Sequence, residues 1–339
     1  MTHSLMMMVL SGGAVVIAGI LLGYSADQIS DRTGLGEMWT GWVLLAAATS
    51  LPEFITDVSA VKLHAANLAA GDLFGSSLTN MAILAVLVLM PFTRDAVVAE
   101  PAGSDETGAP VLFSAWLAIV LTALGTLFTL LHSGAGFFGL RLPSLTLLLV
   151  WIAGTRMLFS RQHAAPVTPG LAANTTAQEA SGSKQLVLPA LIFAAGSAII
   201  FLAAPAFANC ARQFSADSGL GESFVGTWML GFSTALPEFV TSMTACRLGA
   251  FDLAVANLYG SCAFNMVVFF PMDLASSRSV FSFLDPVLTI SGLLAIALML
   301  VGLAAVAYRR HHVLAPNLSG GALLACYGFA VWILYAFRR

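Results

Sequence analysis

Two short stretches of the chain place a proline beside a glutamate within apolar surroundings. They are TSLPEF at 49–54 and TALPEF at 234–239, and they put Glu53 and Glu238 at equivalent positions. An ionisable group at the middle of a membrane costs about 2.5 to 3.5 kcal/mol to insert, so such groups mark ion or substrate pathways. No Lys or Arg lies in the middle of any apolar segment to pair with either carboxylate. The two glutamates are therefore predicted to bind a cation.

The prolines beside these glutamates are expected to free backbone oxygens for the same cation. Pro52 has no N–H, so the carbonyl of Ala48 loses its helical partner, and Pro237 does the same to Ser233. In hydrocarbon a broken backbone is tolerated only against protein, water or an ion. Carbonyl, carboxylate and hydroxyl oxygens together are the kind of ligands that Ca²⁺ and Na⁺ need.

A second repeated pattern supplies neutral oxygens. Ser76 and Asn80 are four residues apart and share one helical face, and Ser261 and Asn265 repeat this arrangement. Small and amide residues also hold membrane helices together, which is the structural alternative to a site. The recurrence of the same face in both halves favours a site. Gly75 and Gly260 stand just before these faces and are expected to let another backbone approach closely.

Further acidic and polar residues lie around these motifs. Asp57 comes one turn after Glu53, where the other copy has Ser242, and we interpret it as lining a water-filled entrance. The alternative role for Asp57 is a proton carrier or an additional cation ligand. Asp72 and Asn257 occupy matching positions, where they are expected to cap a broken turn or guide cations inward.

Composition requires that membrane helices position these residues. The chain has 339 residues, of which 58% are hydrophobic and 9% charged, and its mean hydropathy is +0.89. Soluble domains have about 25% charged residues, so a soluble enzyme and a disordered chain are excluded. A net charge of −3 without a basic stripe excludes a nucleic-acid binder. The start of the chain lacks a basic region, so we do not expect a cleaved signal peptide.

Apolar segments long enough to cross a bilayer recur along the whole chain. Ten are predicted, at 6–24, 37–62, 67–91, 111–132, 140–159, 186–207, 222–247, 252–272, 284–308 and 319–337. A polar stretch at 160–185, rich in Ala, Thr, Ser, Gly and Pro, is predicted to be a flexible linker. It divides the chain into two five-helix units, 1–159 and 186–339.

The two units are copies of each other. Residues 34–80 align with 219–265 without a gap, and 21 of the 47 positions are identical. Five spans separate the copies, so equivalent helices cross the membrane in opposite directions. Inverted repeats of this kind place the substrate site at their interface, near the bilayer midplane. The predicted fold is therefore an all-α polytopic membrane protein built from two inverted five-helix repeats.

The paired motifs resemble the two alpha-repeats of the cation/calcium exchanger superfamily, most closely its prokaryotic sodium/calcium-type members. The resemblance implies an antiporter that moves Ca²⁺ against Na⁺ or H⁺. It also implies the ion ligands, together with backbone carbonyls near Ala46 and Gly231: Thr49, Ser50, Glu53, Ser76, Asn80, Thr234, Glu238, Ser261 and Asn265. Ala235 departs from the pattern because it removes the hydroxyl that matches Ser50. Asn265 stands where many sodium-coupled members have Asp, so the coupling ion stays open.

The expected function is secondary active exchange of Ca²⁺ for Na⁺ by alternating access at the midplane site. The alternative is H⁺/Ca²⁺ antiport at the same site, and a cation channel is less favoured. No nucleophile–base pair or histidine cluster predicts an enzyme, a catalytic residue or a cofactor. The expected setting is a bacterial inner membrane, with the lipid bilayer and the transported ions as partners and no nucleic acid or obligate protein partner. Spans 1 and 6 are expected to slide past the rest, because Gly12, Gly13, Gly19 and Gly196 permit close contact.

Overall fold

A computed structural model describes residues 2–90, 108–134, 136–137, 140–163, 179–217, 226–310 and 316–336. We number its helices α1 to α11. They are α1 Thr2–Thr33, α2 Glu37–Thr49, α3 Leu51–Lys62, α4 Ala66–Leu89, α5 Gly108–Leu130, α6 Leu142–His163, α7 Glu179–Asp217, α8 Gly226–Arg247, α9 Phe251–Ala275, α10 Val287–Arg310 and α11 Pro316–Ala336. A pair of two-residue strands, Gly136–Phe137 and Leu140–Arg141, precedes α6.

The predicted all-helical membrane fold is confirmed. Within the described ranges, eight helices are long and apolar enough to cross a membrane, and the bent pair α2–α3 makes a ninth span. Helix α8 occupies the predicted seventh span, so that every predicted span corresponds to a helix or a helix pair. Residues 160–163 of the predicted linker continue α6 and residues 179–185 begin α7, while 164–178 lie outside the described residues.

The proline motif breaks the helix in the first repeat only. Residues 40–45 form a π-helical turn, and Ser50 then leaves the helical conformation with φ −89° and ψ 4°. Because Pro52 cannot donate a hydrogen bond across this point, α2 and α3 bend by 49°. Helix α8 instead runs through Pro237 without interruption. The predicted loss of a partner for the Ser233 carbonyl does not depend on a break, because Pro237 inside a continuous helix still has no N–H to donate.

Helix α9 is the centre of the molecule. Most of its residues are buried, whereas α1 and α7 expose large apolar side chains such as Val9, Leu10 and Leu202, as lipid-facing helices do. A Cβ added at Gly260 of α9 would lie 2.7 Å from the carbonyl oxygen of Trp42, so only glycine permits this approach to α2. The close approach predicted for Gly260 is confirmed. At Gly75, by contrast, an added Cβ would meet no described atom within 4 Å.

Two contacts between helix ends agree with the inverted arrangement. The backbone N–H of Leu253, at the start of α9, donates to Oε2 of Glu37 at the start of α2, with an N···O distance of 3.2 Å. The N–H of Asp285, just before α10, donates to Oδ1 of Asn67 at the start of α4, at 2.9 Å. Each contact joins the starts of two spans that are six apart in the predicted order, which therefore begin on the same side of the membrane.

Candidate cation-binding site

The two motif glutamates are buried together at the centre of the helix bundle. Glu53 lies in the first turn of α3 and is 2% exposed, and Glu238 lies in the middle of α8 and is fully buried. Their carboxylates are close enough to repel each other electrostatically. Two carboxylates within a low-dielectric interior need a compensating positive charge. This juxtaposition agrees with the sequence prediction that the glutamates share one place.

Hydroxyl groups from both repeats surround Glu238. The Ser50 hydroxyl donates to Oε1 of Glu238 at 3.3 Å, and the Ser261 hydroxyl donates to the same atom at 3.5 Å. Ser50 and Ser261 also contact each other, with an Oγ···Oγ distance of 2.7 Å. The Thr49 hydroxyl lies within range of the same carboxylate. Ser50 lies at the break between α2 and α3, and its hydroxyl reaches Glu238 on α8.

Glu53 has no such partners. Neither of its carboxylate oxygens accepts a hydrogen bond from any residue that the structure describes. One missing donor follows from the repeat, because the residue equivalent to Ser50 is Ala235, which is buried and carries no hydroxyl. The departure seen in the sequence therefore coincides with an unequal hydrogen-bonding environment of the two carboxylates.

The two motif asparagines turn their amide groups in symmetric directions. Nδ2 of Asn80 donates to Sγ of Cys262 at 3.8 Å, and Nδ2 of Asn265 donates to Oγ of Ser77 at 3.4 Å. Asn265 also donates to the Leu73 carbonyl at 3.3 Å. Ser77 and Cys262 occupy equivalent positions in the two copies, so each asparagine is held by the other repeat. Sequence reasoning missed this pair because serine and cysteine are not identical in the repeat alignment.

Holding the amide nitrogens in this way leaves the amide oxygens available. Five buried oxygen atoms of the motif residues have no hydrogen-bond donor among the described residues: Oε1 and Oε2 of Glu53, Oε2 of Glu238, Oδ1 of Asn80 and Oδ1 of Asn265. All five are acceptors, and an unsatisfied buried acceptor costs about 1–3 kcal/mol or more if it is charged. A cation is the ligand that satisfies acceptors alone. No cluster of three or more His, Cys, Asp or Glu that could hold a metal occurs in the described ranges, so neutral oxygens must complete the shell.

The other predicted ligands lie on the same spans as the motif glutamates and asparagines, and they differ in burial and in hydrogen bonding. Ser76 is buried on α4, and Thr234 is partly buried on α8, one turn before Glu238. The carbonyl of Ala46 accepts hydrogen bonds from the Ser50 N–H at 3.0 Å and from the Thr49 hydroxyl at 3.3 Å, so it is held within the helix. Gly231 lies in α8, where only the backbone is described.

The peripheral residues differ between the repeats. Nδ2 of Asn257 donates to Ser242 Oγ at 2.9 Å and to Thr241 Oγ1 at 3.2 Å, joining α9 to α8, while its Oδ1 accepts no hydrogen bond from any described residue. Asp57 is buried on α3, and Asp72 is partly buried on α4. Both lie within electrostatic range of Glu53. The first repeat therefore has acidic side chains at these positions, whereas the second repeat has neutral ones.

Comparison with known proteins agrees with this architecture. The family model described as sodium/calcium exchanger protein matches residues 3–159 and 188–336. The inner membrane protein YrbG of Escherichia coli (strain K12) is 28% identical over 270 residues, which cover 77% of this chain and 78% of that protein. The putative antiporter CaxA of Alkalimonas amylolytica is 26% identical over 250 residues, 72% of each chain.

A solved structure shares the whole fold. The sodium-calcium exchanger NCX_Mj, soaked with Na⁺ and Sr²⁺, superposes with a TM-score of 0.69 over 97% of this chain and 98% of that one, at 16% sequence identity. At this identity the likeness establishes the fold. Together with the family match across both repeats, it confirms the resemblance first seen at 34–80 and 219–265. The chain belongs to the sodium/calcium exchanger protein family and is a multi-pass membrane antiporter of the cation/calcium type.

Proposed function

We propose that this protein exchanges Ca²⁺ for Na⁺ by alternating access, at a midplane site centred on Glu53 and Glu238 in a bacterial inner membrane. Thr49, Ser50, Ser76, Asn80, Thr234, Ser261 and Asn265 would complete the ligand shell. The observation that carries the proposal is the set of five buried acceptor oxygens, contributed by equivalent residues of the two repeats, that have no donor among the residues the structure describes. Such a set suits a hard cation that takes several oxygen ligands.

Obligatory exchange follows from the charge of this site. Two ionised glutamates and neutral asparagines give it a formal charge of −2, which one Ca²⁺ or two monovalent cations balance. Without a cation, the two carboxylates are costly to enclose within the membrane. The protein therefore passes between its two open states only when the site is filled, and each passage carries one kind of ion in one direction.

The moving part of this mechanism is the pair formed by α1 and α7. These helices pack on each other, where a Cβ added at Gly196 of α7 would lie 3.1 Å from Leu22. They also meet α8, where a Cβ added at Gly19 of α1 would lie 2.9 Å from Val240. Smooth glycine surfaces permit sliding without large rearrangement of side chains.

Proton coupling is the competing function. Two protons would neutralise the glutamates as well as two Na⁺ ions do, and Asn80 and Asn265 provide no further charge for sodium. Uptake of ⁴⁵Ca²⁺ into proteoliposomes separates the two: we expect an outward Na⁺ gradient to drive uptake and a pH gradient of equal size to have no effect. Uptake driven by the pH gradient alone would establish proton coupling, and uptake without either gradient would indicate a channel.

We expect the exchange to be electroneutral. A site charge of −2 that alternates between one Ca²⁺ and two monovalent cations moves no net charge. Each net charge that crossed the membrane would contribute about 2.3 kcal/mol per 100 mV, so a potential set by valinomycin and K⁺ should leave the initial rate of ⁴⁵Ca²⁺ uptake unchanged. A rate that responds to this potential would mean that the number of monovalent cations exchanged for each Ca²⁺ is not two, and the direction of the response would show whether it is larger or smaller.

A hydroxyl at position 235 is expected to change Na⁺ binding more than Ca²⁺ binding. Ala235→Ser restores the group equivalent to Ser50, beside a carboxylate whose oxygens accept no hydrogen bond within the described structure. Na⁺ depends more on neutral oxygens, whereas Ca²⁺ depends on the carboxylates. Titrations of ⁴⁵Ca²⁺ exchange with each ion should therefore show a shifted half-saturation for Na⁺ and a smaller shift for Ca²⁺. Equal shifts would contradict the prediction, and the exposed substitution Ala325→Ser controls for a general effect of the added hydroxyl.

A further inference from the structure

We propose that Asp57 and Asp72, called here the acidic pair, form a second binding site for a divalent cation, present in the first repeat only. The pair lies between the central glutamates and the membrane surface at which α3 ends and α4 begins. It is distinct from the central site because neither residue belongs to the repeated glutamate or asparagine motifs.

The first support is the burial of Asp57 with one carboxylate oxygen that has no hydrogen-bond partner among the described residues. Its side chain is 1% exposed, and its Oδ2 accepts no hydrogen bond from any described residue. The principal charged group acting on it is Asp72, on the neighbouring helix α4. Two carboxylates that face each other in a poorly solvated place repel, and each loses hydration. A cation held between them removes both costs.

The second support comes from the other copy of the motif. The residues equivalent to Asp57 and Asp72 are Ser242 and Asn257, and they form a direct hydrogen bond with an N···O distance of 2.9 Å. Side chains at these two positions therefore meet across the two helices. In the second repeat the Asn257 amide donates a hydrogen bond to the Ser242 hydroxyl. In the first repeat the ionised side chains of Asp57 and Asp72 are both acceptors and cannot bond to each other. A cation bound by both carboxylates would join them instead.

The charge of the acidic pair selects the class of ion. Two carboxylates supply up to four oxygen ligands and a charge of −2, which one Ca²⁺ neutralises, and water can fill its remaining positions. A monovalent ion would leave one charge unbalanced. Asp72 is partly exposed, so an ion can reach the pair from solvent. Because the pair acts electrostatically on Glu53, an ion held there is delivered next to the central site.

Equilibrium binding of ⁴⁵Ca²⁺ to the purified full-length protein in detergent tests this site. The double variant Asp57→Ser with Asp72→Asn copies the chemistry of Ser242 and Asn257, whose geometry the fold already accommodates. We expect it to bind one Ca²⁺ fewer per chain than the wild type. The isosteric single variant Asp57→Asn serves if the double variant does not fold, and it should weaken the same binding event at least tenfold. Unchanged stoichiometry and affinity in these variants would overturn the proposal, since a shared proton would then hold the pair together.

The inference rests on the proposed function only in naming Ca²⁺ as the ion. A second variant tests the central site separately from the acidic pair. Glu53→Gln combined with Glu238→Gln removes the charge of the central site and leaves the acidic pair. If this variant also binds one Ca²⁺ fewer, both sites are established. If it binds as the wild type does while the Asp57 and Asp72 variants lose one ion, the central assignment fails and the acidic pair stands. If it loses one ion and the aspartate variants lose none, the acidic pair is not a Ca²⁺ site and the central assignment stands.

Discussion

Replacing Glu53 or Glu238 by glutamine is expected to abolish Ca²⁺ exchange. Glutamine keeps the shape of the side chain but removes one of the two charges that balance a divalent ion. Losing one partner of a buried charge pair costs about 2–5 kcal/mol, and every 1.4 kcal/mol is a tenfold change. The rate of Na⁺-driven ⁴⁵Ca²⁺ uptake should therefore fall roughly 30-fold or more in either variant.

The matched control for these variants is Asp31→Asn. It removes one carboxylate from an exposed position near the end of α1, well away from the proline motifs in sequence. Its uptake rate should stay within about twofold of the wild type, as surface charges contribute little. Both glutamine variants should elute as folded protein in size-exclusion chromatography, because removing a buried charge does not disturb packing. Wild-type uptake by either purified variant would remove that glutamate from the site.

A leucine at position 23 is expected to stop the movement of α1. A Cβ added at Gly23 would lie 2.8 Å from both Cβ and Cγ2 of Thr244 on α8, closer than real Cβ atoms come. Overpacking a tight contact costs about 1–3 kcal/mol, and a larger side chain wedges the two helices apart in at least one of the open states. We expect Gly23→Leu to reduce the exchange rate at least about tenfold.

Gly13 on the same helix provides the comparison for this variant. It is exposed, and no described atom lies within 4 Å of a Cβ added there. Gly13→Leu adds the same apolar side chain in the same helix and should exchange Ca²⁺ at the wild-type rate. Binding of ⁴⁵Ca²⁺ by Gly23→Leu shows whether the site survives the substitution. Equal exchange rates for Gly13→Leu and Gly23→Leu would contradict a sliding contact between α1 and α8.

The close contacts predicted at glycines agree only in part with those in the structure. Gly19 and Gly196 were expected to allow close contact, and both lie where an added Cβ would crowd a neighbour. Gly13, expected to do the same, has no described neighbour within 4 Å, while Gly23 and Gly41 make close contacts that the sequence did not single out. Glycine marks a candidate for close approach, but the contacts of each one depend on how the helix is rotated about its axis.

The sequence by itself determined the membrane class, the helical spans and the family. These properties depend on hydropathy and on the recurrence of residues at a constant separation, both of which are readable in one dimension. It also predicted that Glu53, Glu238, Asn80 and Asn265 belong together, because duplication alone gives no reason to keep buried carboxylates. Their common location then follows from the inversion of the two copies.

The tertiary structure decided where the two copies stop being equivalent. Pro52 and Pro237 occupy equivalent positions in the two copies of the LPEF motif. Only Pro52 lies at a helix break, since the path of a helix depends on the neighbours packed against it. Ser50, which lies at the break, donates a hydrogen bond to Glu238, while Ala235 has no hydroxyl to donate to Glu53. Which oxygens are left without donors depends on the direction in which each asparagine amide points. That direction is set by Ser77 and Cys262 across the repeat interface, and contacts between helices distant in sequence exist only after the chain has folded.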